Sequence, residues 1–203
     1  MKKKIENEIE GQIINIMILG NSNVGKTSFI IKYTENTFQE VYLSTIGIDY
    51  KVKKMTIKET PYSIFFYDTT GQERFRALAK NAIKNADGVI LIYDITDKSS
   101  FESIDDWIKS VKQEKEDNFP MILLGNKIDK EEQRKVTKEE GEMLAKEYNI
   151  DFFEISNKEG IDLDEACIAF INTIIESDSY NQPKLSTSSF LSSKSKKKKI
   201  IFR

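Results

Sequence analysis

Apolar residues in this chain fall into short, nearly continuous runs. The first is Ile13-Ile14-Asn15-Ile16-Met17-Ile18-Leu19. Val89-Ile90-Leu91-Ile92-Tyr93, Met121-Ile122-Leu123-Leu124 and Phe152-Phe153-Glu154-Ile155 follow. Runs this short, with little alternation, suit strands covered on both faces, as in a parallel sheet. Ile48 to Ile57 and Tyr62 to Tyr67 flank Lys58-Glu59-Thr60-Pro61 and read as a hairpin. Between the strands the apolar spacing changes to helical. Helices are expected over Gly25–Tyr33, Phe75–Lys84, Ser100–Glu114, Thr137–Tyr148 and Leu163–Ile175. Thr137 with Glu140 forms a capping-box pattern, and Asp97 and Ser99 precede the third helix.

Six strands alternating with about five helices predict an α/β fold, a doubly wound and mostly parallel sheet under right-handed crossovers. In such sheets ligands sit beyond the carboxyl ends of the strands. The chemistry-bearing motifs of this chain follow strands.

The first motif is Gly20-Asn21-Ser22-Asn23-Val24-Gly25-Lys26-Thr27-Ser28, between the first strand and the first helix. It matches the G-x-x-x-x-G-K-[ST] phosphate loop. Glycines let successive N–H groups turn inward onto phosphate oxygens. Lys26 supplies a cation for the β- and γ-phosphates, Thr27 a hydroxyl for Mg²⁺, and the helix its positive end. A chance turn is the bland alternative.

The second motif, Gly125-Asn126-Lys127-Ile128-Asp129, argues against it. A short carboxylate at Asp129 can accept from both N1–H and the 2-amino group of guanine, a pattern adenine lacks. Asn126 can bond the base and tie back to the phosphate loop, and the Lys127 stem can lie across the ring. Ser156-Asn157-Lys158, after the last strand, would offer backbone N–H groups to guanine O6. Asp68-Thr69-Thr70-Gly71-Gln72-Glu73 follows another strand. There Asp68 suits Mg²⁺, Gly71 can approach the γ-phosphate closely, and Gln72 can orient an attacking water.

Composition narrows the chemistry further. The 203 residues include no histidine and one cysteine. That excludes His-dependent triads, His-ligated zinc and an internal disulfide. The segment from Ser177 holds seven basic and one acidic side chain, so +6 there leaves −8 for the body of a chain whose net charge is −2. An acidic body argues against nucleic acid as a partner. The N-terminus lacks the apolar region of a secretory signal and the Gly needed for myristoylation, so a cytoplasmic location is expected.

Together these motifs resemble the Ras superfamily of small GTPases, and within it the Rab family. The resemblance covers about residues 10–176. It implies a phosphate-loop NTPase fold, the small G domain, after a 1–9 extension; beyond it the Ser- and Lys-rich composition with few apolar residues predicts a flexible tail, 177–203. Ser44-Thr45-Ile46-Gly47-Ile48-Asp49-Tyr50 is similar to the Rab first switch, and Gly71-Gln72-Glu73-Arg74-Phe75-Arg76 to the second. By this resemblance Thr45 would bind Mg²⁺ and the γ-phosphate, Phe38 would stack on guanine, and Gln72 would be catalytic. Ile46, Gly47, Ile48, Asp49 and Phe75 would face effectors. It further implies GTP and GDP as substrate and product, Mg²⁺ as cofactor, a GTPase switch in vesicle traffic, and exchange factors, activating proteins and effectors as partners. The alternative is a guanine-nucleotide-locked module that turns over slowly or not at all.

The chain also departs from the family. Thr70 stands where Ala is usual and is expected to slow hydrolysis. Asn23 replaces a small residue and is expected to be tolerated. Asn157 replaces Ala and is expected to matter little, because the backbone there does the work. Asn81-Ala82-Ile83-Lys84 replaces a Tyr-Tyr-Arg stretch, which bears on effector identity. No cysteine stands near the C-terminus for prenylation, and Cys167 is assigned to the core with Leu163, Phe170, Ile171 and Ile174. Lys194–Arg203 is either an anionic-membrane contact or a solvated basic run. Trp107 is read as core in preference to a partner contact.

Overall fold

The computed structural model describes residues 11–38, 48–69, 83–177 and 180. Six strands form one sheet: β1 (Gln12–Leu19), β2 (Ile48–Ile57), β3 (Thr60–Thr69), β4 (Gly88–Asp94), β5 (Met121–Asn126) and β6 (Asp151–Ile155). Their spatial order is β2-β3-β1-β4-β5-β6. β2 runs antiparallel to β3, while every other neighbouring pair is parallel. The carboxyl ends of β1, β3, β4, β5 and β6 therefore lie along one edge.

The apolar runs form strands because both faces are covered. Ile14, Ile16 and Ile18 of β1 point into one cluster, and Met17 and Leu19 into the other. The first cluster is closed by α1 (Lys26–Glu35), through Phe29, Ile30 and Tyr33, and by α5 (Leu163–Glu176). α5 buries Leu163, Cys167, Phe170, Ile171 and Ile174, the face its sequence spacing picks out. The second is closed by α3 (Ile104–Lys112), through Ile104, Trp107, Ile108 and Val111, and by α4 (Lys138–Tyr148), through Ala145. Each fully buried Ile or Phe contributes about 1.5–3 kcal/mol relative to exposure, so these clusters hold the helices in place.

α4 begins with the expected capping box: Thr137 Oγ1 accepts from Glu140 N at 3.2 Å, and Thr137 N donates to Glu140 Oε2 at 2.9 Å. The expected helix from Ser100 to Glu114 is broken into α2 (Lys98–Glu102) and α3, with Ser103 between them. Ser103 Oγ donates to Ser99 O at 2.8 Å. Serine back-bonding of this kind bends a helix, and propensity does not reveal it. Asp97 caps α2, accepting from Ser99 N at 3.1 Å. Most of the expected helix over 75–84 and the tail lie outside the described residues, as do Thr45, Ile46, Gly47, Thr70, Gly71, Gln72 and Phe75.

Candidate nucleotide-binding site

The loop after β1 is shaped by backbone conformations that its residue types allow. Gly25 has φ +103°, and a side chain there would collide with two amide groups. Its Cβ would stand 2.4 Å from Asn126 Nδ2 and 2.8 Å from Asn157 Nδ2. Asn23 sits at φ +64°, a left-handed conformation Asn tolerates better than most residues, and its side chain is exposed, as expected. No side chain caps α1, so its first N–H groups lie at the loop.

Lys26 is 4% exposed. Its ammonium donates to Gly20 O at 2.9 Å and Asn21 O at 2.7 Å, folding the loop around itself. Burial pulls its pKa down to about 8, partly opposed by the Asp68 carboxylate. Thr27 Oγ1 donates to Asp68 Oδ2 at 2.6 Å, which joins the start of α1 to the end of β3. A hydroxyl and one carboxylate are hard oxygen donors. They fit Mg²⁺, which takes few protein ligands and fills its octahedron with water and phosphate oxygens. Among the described residues no cluster of three or more His, Cys, Asp or Glu competes as a metal site.

The loops after β5 and β6 close on the phosphate loop from the other side. Asn126, 1% exposed, donates from Nδ2 to Val24 O at 2.8 Å. Lys127, at φ +73°, reaches back to Asn23 O at 2.8 Å and pairs with Asp94 across 2.5 Å. Asp129 Oδ1 accepts from Ser156 Oγ at 2.7 Å, which fixes the direction of the carboxylate. Asn126 Oδ1 accepts from Asn157 N at 3.2 Å. Thus Asn126, Lys127, Asp129, Ser156 and Asn157 gather beside Val24, Gly25 and Lys26. Lys158 and Ser22 are exposed, Ser28 is half-buried, and Phe38 leaves 37% of its surface open. Asp49, on β2, is exposed, and its Oδ1 accepts from Tyr50 N at 2.9 Å. Ile48 heads the same strand.

Two points correct or extend the sequence reading. Asn157 is not a bystander side chain: it is 3% exposed, and its Nδ2 donates to Gly25 O at 3.0 Å. Asp94 was missed. It is 7% exposed, accepts from Thr96 N at 2.9 Å and Oγ1 at 2.7 Å, and anchors Lys127. A carboxylate directly after the buried run ending at Tyr93 was the available signal. Trp107 is core, as expected, at 3% exposure.

A Gly-rich loop leading into a helix at the carboxyl edge of a mostly parallel sheet defines a phosphate-loop nucleotide-binding domain. The Ras family model matches residues 15–176. The chain is 42% identical over 163 residues to the Ras-related protein Rab-13 of Rattus norvegicus, a match spanning 80% of each chain. It is 44% identical over 154 residues to Rab-13 of Mesocricetus auratus, spanning 76% of each. To Rab-3B of Homo sapiens it is 42% identical over 164 residues, 81% of this chain and 75% of the relative. The chain therefore belongs to the Ras family of small GTPases and, within it, to the Rab proteins. It is a GTP-hydrolysing switch of the Rab type, the class that works in vesicle traffic. Ras-family GTPases use GTP, GDP and Mg²⁺, and Rab proteins bind exchange factors, activating proteins and effectors. Among the described residues no helix is long and apolar enough to cross a membrane.

Proposed function

We propose that the nucleotide lies along the carboxyl edge of the sheet, with its phosphates in the 20–27 loop and its base against Asn126, Lys127 and Asp129. The observation that supports this most is the pair of ties from the β5 loop to the phosphate loop: Asn126 to Val24 O and Lys127 to Asn23 O. They hold a guanine-reading carboxylate and a phosphate-binding ammonium in one frame. Lys26 releases the Gly20 and Asn21 carbonyls to engage phosphate oxygens. Backbone N–H groups from Asn21 through Ser28 surround the same anion. In the Ser156-Asn157-Lys158 loop the first two backbone N–H groups go to Ile161 O and Asn126 Oδ1, which leaves the Lys158 N–H to meet guanine O6, and Phe38 covers the ring.

Thr27, Asp68 and Thr45 would hold Mg²⁺, which when bound neutralises charge on the β- and γ-phosphate oxygens. Gln72 orients the attacking water through its neutral amide, and Gly71 N–H meets the γ-phosphate. Thr45 and Gly71 lose these contacts when the γ-phosphate leaves, which relaxes the segments carrying Ile46, Gly47, Ile48, Asp49 and Phe75. That surface is where effectors distinguish the two states. The basic segment Lys194–Arg203 attaches the protein to an anionic membrane face, each basic residue near the surface adding about 1 kcal/mol.

The test is direct. Protein purified in Mg²⁺ buffer is denatured and its released nucleotide identified by chromatography, and phosphate release from added GTP is followed over hours. Near-stoichiometric GDP and steady phosphate release support the assignment. Absence of any guanine nucleotide, with no uptake of added GDP, overturns it. GDP without phosphate release leaves the locked binding module as the better description.

A further inference from the structure

Gly25 is held from the base side by an amide that the nucleotide does not supply. Asn157 is 97% buried, and its Nδ2 donates to Gly25 O at 3.0 Å. The two residues are 132 positions apart in sequence. The same Gly25 O begins the first turn of α1 by accepting from Phe29 N at 2.8 Å. The Asn157 backbone N–H is meanwhile taken by Asn126 Oδ1 at 3.2 Å, and Asn126 Nδ2 closes the circuit on Val24 O at 2.8 Å. A ring of three amide contacts thus joins the β6 loop, the β5 loop and consecutive carbonyls of the phosphate loop. Asn157 Oδ1 is buried and has no hydrogen-bond partner among the described residues. A buried amide acceptor without a partner opposes folding, so the chain tolerates this side chain at a cost. The contact that offsets the cost is the one on Gly25.

We propose that the Asn157 side chain is a positioning residue that staples the guanine-side loop to the phosphate loop and slows nucleotide release. The inference rests on the nucleotide placement proposed above. Release requires the base loop and the phosphate loop to part, and Asn157 is a bond between them. Gly25 lies immediately before Lys26, so freeing its carbonyl also loosens the start of α1, where the phosphate-facing N–H groups arise. Any residue can offer the backbone N–H of position 157, but the staple needs a side chain with a donor of this length. Alanine keeps the backbone and deletes the staple.

The experiment measures the dissociation rate constant of a fluorescent GDP analogue, chased with excess GDP in Mg²⁺ buffer at pH 8, for the wild type, Asn157→Ala and Asn157→Asp. A rate constant, unlike an amplitude, does not depend on how much of a preparation is folded. Loss of one hydrogen bond between neutral groups corresponds to about a three- to ten-fold change. We expect N157A to release nucleotide faster by that factor. N157D keeps the shape but sets a carboxylate against the Gly25 carbonyl, and it should release nucleotide faster than N157A. Rates for N157A within two-fold of the wild type, or N157D slower than N157A, would overturn the staple. If the wild type fails to take up the analogue at all, the nucleotide placement itself is at fault, which is a separate outcome.

Discussion

Trp107 donates its indole N–H to Asn21 Oδ1 across 3.2 Å. The other end of that amide, Asn21 Nδ2, donates to Ser103 Oγ at 2.9 Å. One side chain of the phosphate loop is thereby held at both ends by the α2–α3 segment, while the backbone carbonyl of Asn21 accepts from Lys26 at 2.7 Å. When Lys26 turns to phosphate, Asn21 must adjust, and Trp107 is its immediate neighbour.

Trp107 is the single tryptophan of the chain, so it reports this change without labelling. Stripping nucleotide with a Mg²⁺ chelator and phosphatase should shift its emission. Asn21→Ala should lose at least half of that shift and lower stability by about 1–3 kcal/mol, the scale of its two side-chain hydrogen bonds. An unchanged spectrum on stripping would contradict the coupling.

Burial lowers Lys26 to about pKa 8 from 10.5, whereas bound phosphate favours the charged form. Between pH 8 and 10.5 the unfolded chain holds more proton at this site than the nucleotide-free fold does, so the nucleotide-free fold gains stability as pH rises through that window. Nucleotide binding has the opposite sign: it draws a proton in above pH 8. Titration calorimetry of GDP at pH 8.5 in two buffers of different ionisation enthalpy should show uptake of a large fraction of a proton. At pH 6.5 this group should contribute almost none. Equal apparent enthalpies in both buffers at pH 8.5 would be the contrary result.

Gly141 tests the packing of α4 on the sheet. An added Cβ would stand 2.4 Å from the Phe152 ring and 2.8 Å from the Tyr93 hydroxyl. Gly-to-Ala in a helix ordinarily gains about 1 kcal/mol, but overpacking costs about 1–3 kcal/mol. The larger effect wins, and Gly141→Ala should lower Tm by several degrees in a thermal melt. A raised Tm would mean that α4 shifts outward freely.

Thr70 follows β3, just past Asp68, beside the segment assigned to the γ-phosphate. We propose that a branched hydroxyl side chain at this sequence position, next to Gly71, slows hydrolysis. Single-turnover GTP hydrolysis should therefore be several-fold faster in Thr70→Ala than in the wild type. Equal rates would remove the idea.

The fold was legible because its signals are local. Ile13–Leu19 and Val89–Tyr93 announce buried strands, and Thr137 with Glu140 announces the start of α4. Much of the site was legible for a different reason: the phosphate loop and Asn126-Lys127-Ile128-Asp129 carry their chemistry in fixed residue types. What stayed hidden depends on contacts made across the chain. The Asn157 amide meets Gly25 only because β6 lies beside β5 and both end at the phosphate loop. The break at Ser103 depends on a hydroxyl that turns back on Ser99 and also meets Asn21 from 82 residues away. Asp94 looks like the end of a strand until Lys127 is seen to need a counterion. No periodicity or propensity encodes such pairings.

The central claim is that the Asp129 carboxylate, steered by Ser156 Oγ at 2.7 Å, reads the 2-amino edge of guanine. Inosine diphosphate differs from GDP only in lacking that amino group. The decisive measurement is the ratio of dissociation constants for the two nucleotides in the wild type and in Asp129→Ala. With inosine diphosphate the carboxylate keeps N1–H but loses its second hydrogen bond, worth about 1.5–3 kcal/mol to a charged group, so the wild type should prefer GDP by at least roughly ten-fold, and Asp129→Ala should bind both weakly with a ratio near one. A variant that still favours GDP as strongly as the wild type would contradict the account.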